Sequence, residues 1–257
     1  MICCIAATAG QLRPVSAIVR GFSGCLFPVS TSADQTSALV SLRDVRFAYG
    51  EREILRGIDL SVHRGQVVAI MGGSGCGKST LLKHLVGLLP PASGTVRHGG
   101  VDYWASGEAE REAMRLKFGM LFQSAALWSS MTVLDNVCLA LARQTALDAR
   151  AQEARAREVL AWVGLDHAAH QMPAQLSGGM KKRAGLARAI AAEPPLLFLD
   201  EPSAGLDPIS SRRLDDLILD IRQRTGAAVV LVSHELPSLF AIADDGLFLD
   251  ADSQTPI

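Results

Sequence analysis

Eight residues in the first third of the chain restrict the possible folds more than any other segment. Gly72-Gly-Ser-Gly-Cys-Gly-Lys-Ser79 matches the pattern G-x-x-x-x-G-K-[ST]. It follows Gln66 to Met71, a continuous apolar run typical of a strand buried on both faces, and it precedes a helical pattern. A strand, a glycine-rich turn and a helix in this order predict an α/β fold with a phosphate-binding loop.

The residue types in this loop suit nucleotide phosphates. Glycines let the backbone N–H groups converge on phosphate oxygens, and the helix that begins at Lys78 adds the positive end of its dipole. Lys78 is expected to reach the β- and γ-phosphates, and the Ser79 hydroxyl is expected to bind Mg2+. An accidental glycine-rich turn is the alternative, which the flanking strand and helix disfavour. The predicted phosphate-contacting residues are Gly72, Gly73, Ser74, Gly75, Cys76, Gly77, Lys78, Ser79 and Thr80.

The thiol of Cys76, inside this loop, has two interpretations. It is either a small residue whose thiol does nothing, which we favour, or a thiol made reactive by the adjacent helix N-terminus. The five cysteines are scattered, with neither CxxC spacing nor a nearby histidine cluster, so a zinc site or a disulfide framework is disfavoured.

Two carboxylates and a histidine follow later apolar strands. Leu196 to Asp200 is a buried-strand pattern that ends in Asp200 and Glu201, and ligands of open parallel sheets bind at this edge. Asp200 is expected to hold Mg2+, and Glu201 to orient or deprotonate an attacking water. His234 follows the third buried strand, where it either hydrogen-bonds the γ-phosphate or serves only as a capping or packing residue.

Apolar strands that alternate with helices predict a mostly parallel core sheet, the P-loop NTPase arrangement. Val40 to Tyr49 and Ile54 to Val62 alternate apolar and polar residues, which predicts an additional antiparallel β subdomain. Residues from about 106 to 190 are expected to form a helical subdomain. The folded domain is expected to span 39–257. Residues 1–38 are expected to be a disordered extension or a misassigned start, and an export signal is the less favoured interpretation.

A third motif distinguishes among the classes of P-loop NTPase. Leu176-Ser-Gly-Gly-Met180 opens a helical pattern and resembles the LSGGQ signature of ABC ATPases. A helix N-terminus after two glycines is another anion site, and one chain already has its phosphate loop, so a second anion site implies a second nucleotide. The resemblance implies a head-to-tail homodimer. In it, ATP lies between the phosphate loop of one copy and Ser177, Gly178 and Gly179 of the other.

Other sequence motifs of the ABC ATPase family occur in the expected order between about Leu39 and Leu249. Tyr49 matches the aromatic residue that stacks on adenine, and Gln123 matches the glutamine that touches Mg2+ and couples to the membrane subunit. Asp207 ends a segment that is similar to the loop that crosses the dimer interface. The resemblance therefore implies an ATPase that binds ATP and Mg2+, with Lys78, Gln123, Glu201 and His234 as its catalytic residues.

The segments Leu176 to Ile190, Phe122 to Trp128 and Asp207 to Ile209 are similar to ATPase subunits of the Mla group, the Mce-associated bacterial lipid transporters. This resemblance implies phospholipid as cargo, integral-membrane permease subunits and an Mce-type lipid-binding protein as partners. It places the chain peripherally on the cytoplasmic face of the inner membrane. Family members usually continue beyond Gly246 to Asp250 with a further strand and helix, so we expect a truncated C-terminus.

Composition limits the remaining alternatives. The formal net charge is -1, without an aromatic-interleaved basic tract, so nucleic acid is not an expected partner. No apolar run approaches the roughly 20 residues of a membrane span, so transport would require membrane partners. Three alternatives stay open. The first is an ABC transporter ATPase whose cargo is an amino acid, a metal or a lipoprotein. The second is a non-transport ABC ATPase, and the third is an inactive regulatory subunit. The intact motif residues disfavour the last.

Overall fold

The structure of the protein is a computed structural model that describes residues 38–49 and 52–249. The predicted N-terminal extension lies outside this part of the chain, except for Ala38. The side chain of Tyr49, predicted to stack on adenine, also lies outside the described part. Among the described helices, none combines the length and hydropathy that a membrane crossing requires.

Strands fall into two sheets. The strands of the described residues are β1 (Val40–Tyr49), β2 (Arg52–Val62), β3 (Val67–Gly72), β4 (Ser93–His98), β5 (Val101–Asp102), β6 (Phe118–Leu121), β7 (Leu196–Asp200), β8 (Ala228–Val232) and β9 (Asp245–Leu249). One sheet has the order β6-β7-β8-β3-β9 and its pairings are parallel, and the other has the order β2-β1-β4-β5 and is antiparallel. Both predicted sheet types are therefore confirmed.

Helices connect and cover these strands. In the same part of the chain they are α1 (Lys78–Leu85), α2 (Glu108–Arg115), α3 (Val133–Gln144), α4 (Ala149–Trp162), α5 (Gly178–Ile190), α6 (Pro208–Thr225) and α7 (Leu236–Ile242), with short 3-10 turns at Asp166–Ala168 and Pro173–Gln175. Helix α1 begins at Lys78 as expected. It ends at Leu85, and Gly87 just beyond it adopts a left-handed conformation with φ 73°.

The parallel sheet is apolar on both faces, which is why its strands are continuous apolar runs. Val67 and Ala69 of β3 belong to a core shared with helices α3 to α6, whereas Val68 and Ile70 point to the opposite face. That opposite face shares a second core with α1 and the antiparallel sheet. Because β3, β7 and β8 run in the same direction, their carboxyl ends meet at one edge of the sheet.

Strand β6 lies within the stretch that the sequence pattern presents as mostly helical. It pairs with β7 and forms an edge of the parallel sheet. A Cβ at Gly119 of this strand would collide with the backbone of Ala189, so the glycine allows α5 to pack directly on the strand. Four residues, one of them glycine, are too short a run for periodicity to distinguish a strand from a helix. Strands β4 and β5 were likewise not among the predicted elements.

Candidate nucleotide site

The phosphate loop joins β3 to α1 through glycines in left-handed conformations. Gly72 has φ 151° and Gly77, which caps α1, has φ 101°. A Cβ at Gly72 would collide with the carbonyl oxygen of Leu249 and with the sulfur of Cys76. The loop can therefore curl tightly at its start only with glycine at position 72, and its tip at Gly73 and Ser74 is exposed.

Lys78 lies across the loop that it terminates. Its Nζ donates hydrogen bonds to the carbonyl oxygens of Gly72 and Gly73, both at 2.9 Å. The first turn of α1 carries no acidic residue, and Gly77 supplies no side-chain cap, so no side chain occupies the helix N-terminus. Ser79 is exposed on this turn. An ammonium, a helix N-terminus and a hydroxyl thus lie together, as an anion site requires.

Cys76 is fully buried, with 0% of its surface exposed. It belongs to the apolar core around α1, and its Sγ lies 4.0 Å from Nζ of Lys78. A thiolate without solvent access cannot attack a reagent in solution, so the burial favours the inert interpretation of this thiol.

Asp200 ends β7 at the same sheet edge. Its Oδ1 is buried without a hydrogen-bond partner, and burial raises the pKa of this carboxyl, followed by repulsion from the charge of Glu201. The ammonium groups of Lys182, Lys83 and Lys78 oppose this shift of the Asp200 pKa. A buried carboxylate oxygen without a protein partner fits a hard cation, which takes oxygen ligands from one or two carboxylates and from substrate phosphates.

Glu201 is held by three different parts of the fold. Its backbone N–H donates to the carbonyl oxygen of Val232 at 2.8 Å, and its carbonyl oxygen accepts from Lys182 Nζ at 2.7 Å. Both carboxylate oxygens lie 2.9 Å from Nδ1 of His234, and Oε1 has hydrogen-bond geometry. The side chain of Glu201 is 11% exposed and that of His234 is 61% exposed, so the pair lies at the opening of the site.

Sequence reasoning placed Glu201 and His234 at one edge but did not predict that they contact each other. It also assigned no role to Lys182. The apolar neighbours of Lys182 along α5 could have indicated its burial, because Ala184, Leu186 and Ala187 share the helical periodicity of the core.

Gln123 lies on the exposed loop after β6. This loop and Asp200 line a common cavity of about 590 Å3, which also includes Gly205. Arg188 of α5 holds the loop by donating hydrogen bonds to the carbonyl oxygens of Ala125 and Ala126. The structure thus brings Gln123 to the same cavity as Asp200, two of the three residues predicted to contact Mg2+. Their role as ligands stays a prediction.

The signature segment opens α5 beside a second cavity. Ser177 caps the helix, because its Oγ accepts a hydrogen bond from the N–H of Met180 at 3.3 Å. A Cβ at Gly178 would contact nothing within 4 Å, so the turn is open. The cavity has about 600 Å3 and includes Ser177, Gly178, Gly179 and Asp207, and Gly205 lines both cavities.

Asp207 has a structural use within its own chain. Its Oδ1 accepts hydrogen bonds from the N–H groups of Ile209 and Ser210, each at 3.0 Å, and so caps α6. The hydrogen bond from the Ser210 side chain is the largest of the interactions that lower the pKa of the Asp207 carboxyl. Its predicted contact across a dimer interface stays a prediction.

Two comparisons with known sequences agree with this geometry. The profile of the ABC transporter family matches residues 55–204. The intermembrane phospholipid transport system ATP-binding protein MlaF of Escherichia coli (strain K12) is 43% identical over 211 residues, which cover 82% of this chain and 78% of MlaF. The methionine import ATP-binding protein MetN of Mesorhizobium japonicum is 40% identical over 224 residues, which cover 87% of this chain and 61% of MetN.

A solved structure gives the same fold. The dimeric post-hydrolysis state of the ATP-binding cassette MJ0796, bound to ADP and Pi, superposes with a TM-score of 0.75 at 31% identity. The superposition covers 82% of this chain and 94% of that chain.

Proposed function

The chain belongs to the ABC transporter family and is an ATP-binding, ATP-hydrolysing subunit, and we propose that its transporter carries phospholipid between the inner and outer bacterial membranes. The proposal has three parts: the roles of the site residues, the dimer in which they act, and the cargo.

The proposed site begins with the triphosphate of ATP bound by Gly72 to Thr80. Lys78 already lies over this loop and needs only to exchange its carbonyl partners for phosphate oxygens. Mg2+, held by Ser79, Gln123 and Asp200, would neutralise charge on the β- and γ-phosphates. The unpartnered Oδ1 of Asp200 supports this assignment.

Glu201 is proposed to orient the attacking water and to accept its proton. Its carboxylate is bound to His234 in the described conformation, and the exposed His234 can swing away without disturbing the core. Movement of His234 to the γ-phosphate would then free Glu201 for water. The chemistry is mainly positioning and electrostatic stabilisation of a charged transition state.

The proposed assembly is a head-to-tail homodimer. Each chain has one phosphate loop and, beside a different cavity, one uncovered signature turn at Ser177 to Gly179. The similar cassette MJ0796 is a dimer in its ADP-bound structure. Pairing each phosphate loop with the signature turn of the second copy would give two equivalent ATP sites, and Tyr49 would contact the adenine.

One observation favours phospholipid as cargo. The identity to MlaF is 43% over 211 residues, against 40% over 224 residues for MetN, and the segments Leu176 to Ile190 and Phe122 to Trp128 are similar to Mla-group ATPase subunits. The proposed partners are therefore membrane-spanning permease subunits and an Mce-type lipid-binding protein, with this chain bound peripherally at the cytoplasmic face of the membrane.

Methionine import, or import of a related small solute, is the second candidate. The identity to MetN is 40% over 87% of this chain, close to the value for MlaF. A shared fold does not specify the cargo, so similarity within the ATPase domain separates the two candidates only weakly.

Affinity purification from native membranes tests the cargo. The tagged full-length chain carrying Glu201→Gln is extracted with ATP, because slowed hydrolysis should keep the assembly closed. The copurifying proteins are identified by mass spectrometry, and bound lipids by extraction. A parallel sample carrying Lys78→Ala, which should not bind ATP, is the matched control for capture that does not depend on nucleotide.

Recovery of a permease with an Mce-type protein and bound phospholipid would support the proposal. A permease together with a solute-binding protein would replace phospholipid by a small solute and keep the ATPase assignment. Recovery of ribosomal or DNA-repair proteins without any membrane protein would contradict a role in transport.

A further inference from the structure

Lys182 is a buried lysine on the signature helix. It is the fifth residue of α5, and only 6% of its surface is exposed. Lysine is rarely buried, because removing an ammonium from water is costly unless hydrogen bonds and opposite charges replace the lost hydration. The side chain must therefore have partners that compensate for its burial.

Those partners belong to the proposed catalytic edge. The Nζ of Lys182 donates a 2.7 Å hydrogen bond to the backbone carbonyl oxygen of Glu201. Burial lowers the pKa of Lys182, and the charges of Glu201, Asp200 and Glu235 raise it. One ammonium thus faces three carboxylates that come from the end of β7 and the start of α7.

The Glu201 backbone is in an uncommon conformation that needs such support. Its φ is 47°, in the left-handed region that non-glycine residues seldom occupy. The N–H on one side of the residue is held by Val232, and the carbonyl on the other side is held by Lys182. These two hydrogen bonds fix the peptide from which the carboxylate projects towards His234.

We propose that Lys182 is a positioning residue for ATP hydrolysis, which holds the Glu201 peptide so that the carboxylate points to the site of the attacking water. The inference rests on the proposed role of Glu201 in the ATPase reaction and does not depend on the cargo. Because α5 begins at the signature turn Ser177 to Gly179, the same hydrogen bond joins the signature helix to the backbone of Glu201 in its own chain.

The simplest alternative is that Lys182 only fills space and balances charge in the core. In that case its removal would change folding stability or ATP binding along with the rate. A positioning role instead lowers kcat and leaves the KM for ATP and the unfolding temperature nearly unchanged. Small displacements of a reacting group cost about 100-fold in rate, so the expected effect is large enough to measure.

The test compares purified full-length variants by phosphate release over a range of ATP concentrations. Lys182→Met keeps the length and apolar stem but loses the donor, whereas Lys182→Gln and Lys182→Arg keep a donor. Lys181→Met, at the neighbouring and less buried position, is the matched control. Wild-type hydrolysis must be measured first, because its absence would contradict the proposed function rather than the role of Lys182.

The proposal predicts that Lys182→Met lowers kcat by about 10- to 100-fold with KM within about twofold of wild type. At least one donor variant should recover kcat to within about threefold, and Lys181→Met should behave like wild type. Wild-type kcat in Lys182→Met would overturn the proposal. So would an equal loss in all three Lys182 variants, or a loss that follows a fall in ATP affinity or in the unfolding temperature.

Discussion

Two helix N-termini in the described part of the chain are proposed to face an anion, at Gly77 in front of α1 and at Ser177 in front of α5, and they differ in their surroundings. The first has a lysine folded over it and two carboxylates at the neighbouring strand end. The second has a serine cap and an open cavity lined by Asp207, and the cationic side chains at that cavity are those of Arg183 and Arg213.

The difference supports the proposal that the phosphate-loop side of one chain supplies most of the catalytic groups and the signature side of a second copy completes the site. We propose that the phosphate-loop side binds the substrate, whereas the signature side contributes a helix N-terminus to the anion that is held by the other copy. Four predictions test this asymmetry, from the largest expected effect to the smallest.

Loss of Lys78 should have the largest effect. Lys78→Ala removes the ammonium that lies over the loop, so ATP binding and hydrolysis should both fall by about 100-fold or more. Fluorescent-nucleotide titration and phosphate release measure the two quantities. The exposed Lys117→Ala, away from the loop, should retain both. Undiminished ATP affinity in Lys78→Ala would contradict the role of this lysine.

Loss of the Glu201 carboxylate should separate hydrolysis from binding. Glu201→Gln keeps the shape of the side chain, so ATP affinity should persist while kcat falls by about 100-fold. ATP should then convert the variant from monomer to dimer in size-exclusion chromatography with light scattering. A variant that hydrolyses ATP at the wild-type rate would exclude Glu201 as the residue that activates water.

A change on the signature side should lower hydrolysis without affecting nucleotide binding by the isolated chain. Gly179→Asp is tolerated sterically, because a Cβ there has only Leu206 Cδ2 at 3.8 Å, but it places a negative charge at the anion-binding turn. The expected result is a kcat about 10- to 100-fold lower with unchanged binding to the monomer.

Mixing two inactive variants makes this test stronger. A heterodimer of Gly179→Asp with Lys78→Ala would contain one intact composite site, so an equimolar mixture should recover up to about a quarter of wild-type activity. The same variants assayed alone are the controls. A mixture that stays as inactive as its components would argue against a head-to-tail arrangement.

Acid pH should weaken the phosphate-loop side first, because that side contains a buried histidine in β4. His98 of β4 is 8% exposed with Nε2 unpartnered, and burial lowers its pKa to about 4. His167 and His170, on the signature side, are exposed. Below pH 6.5 the unfolded chain protonates at position 98 before the folded chain does, so stability falls as the pH decreases towards 4.

The expected loss attributable to His98 is about 2 kcal/mol between pH 7 and pH 5, or about 5 °C in the unfolding midpoint. His98→Phe should remove most of this pH dependence, since the ring would pack between Tyr103 and Phe118 without a titrating nitrogen. His167→Gln serves as the exposed control. Equal pH dependence in His98→Phe and the wild type would show that another group is responsible.

Much of the phosphate-loop side could be predicted from the sequence because its parts are local. The loop lies within eight consecutive residues, and a buried strand is recognisable as a continuous apolar run. The positions of Lys78 and Asp200 therefore followed from the sequence. Strand β6 could not be predicted in the same way, because its four residues acquire their strand conformation from pairing with β7.

The sequence by itself determined the sheet types, the order of the motifs and the sheet edge at which Asp200 and His234 would lie, since periodicity and local motifs carry that information. Only the tertiary structure decided the contact between Glu201 and His234 and the hydrogen bond from Lys182 to the carbonyl oxygen of Glu201. These contacts join residues that are 33 and 19 positions apart. Side-chain partners at such separations are set by how helices pack on the sheet, and no local pattern encodes them.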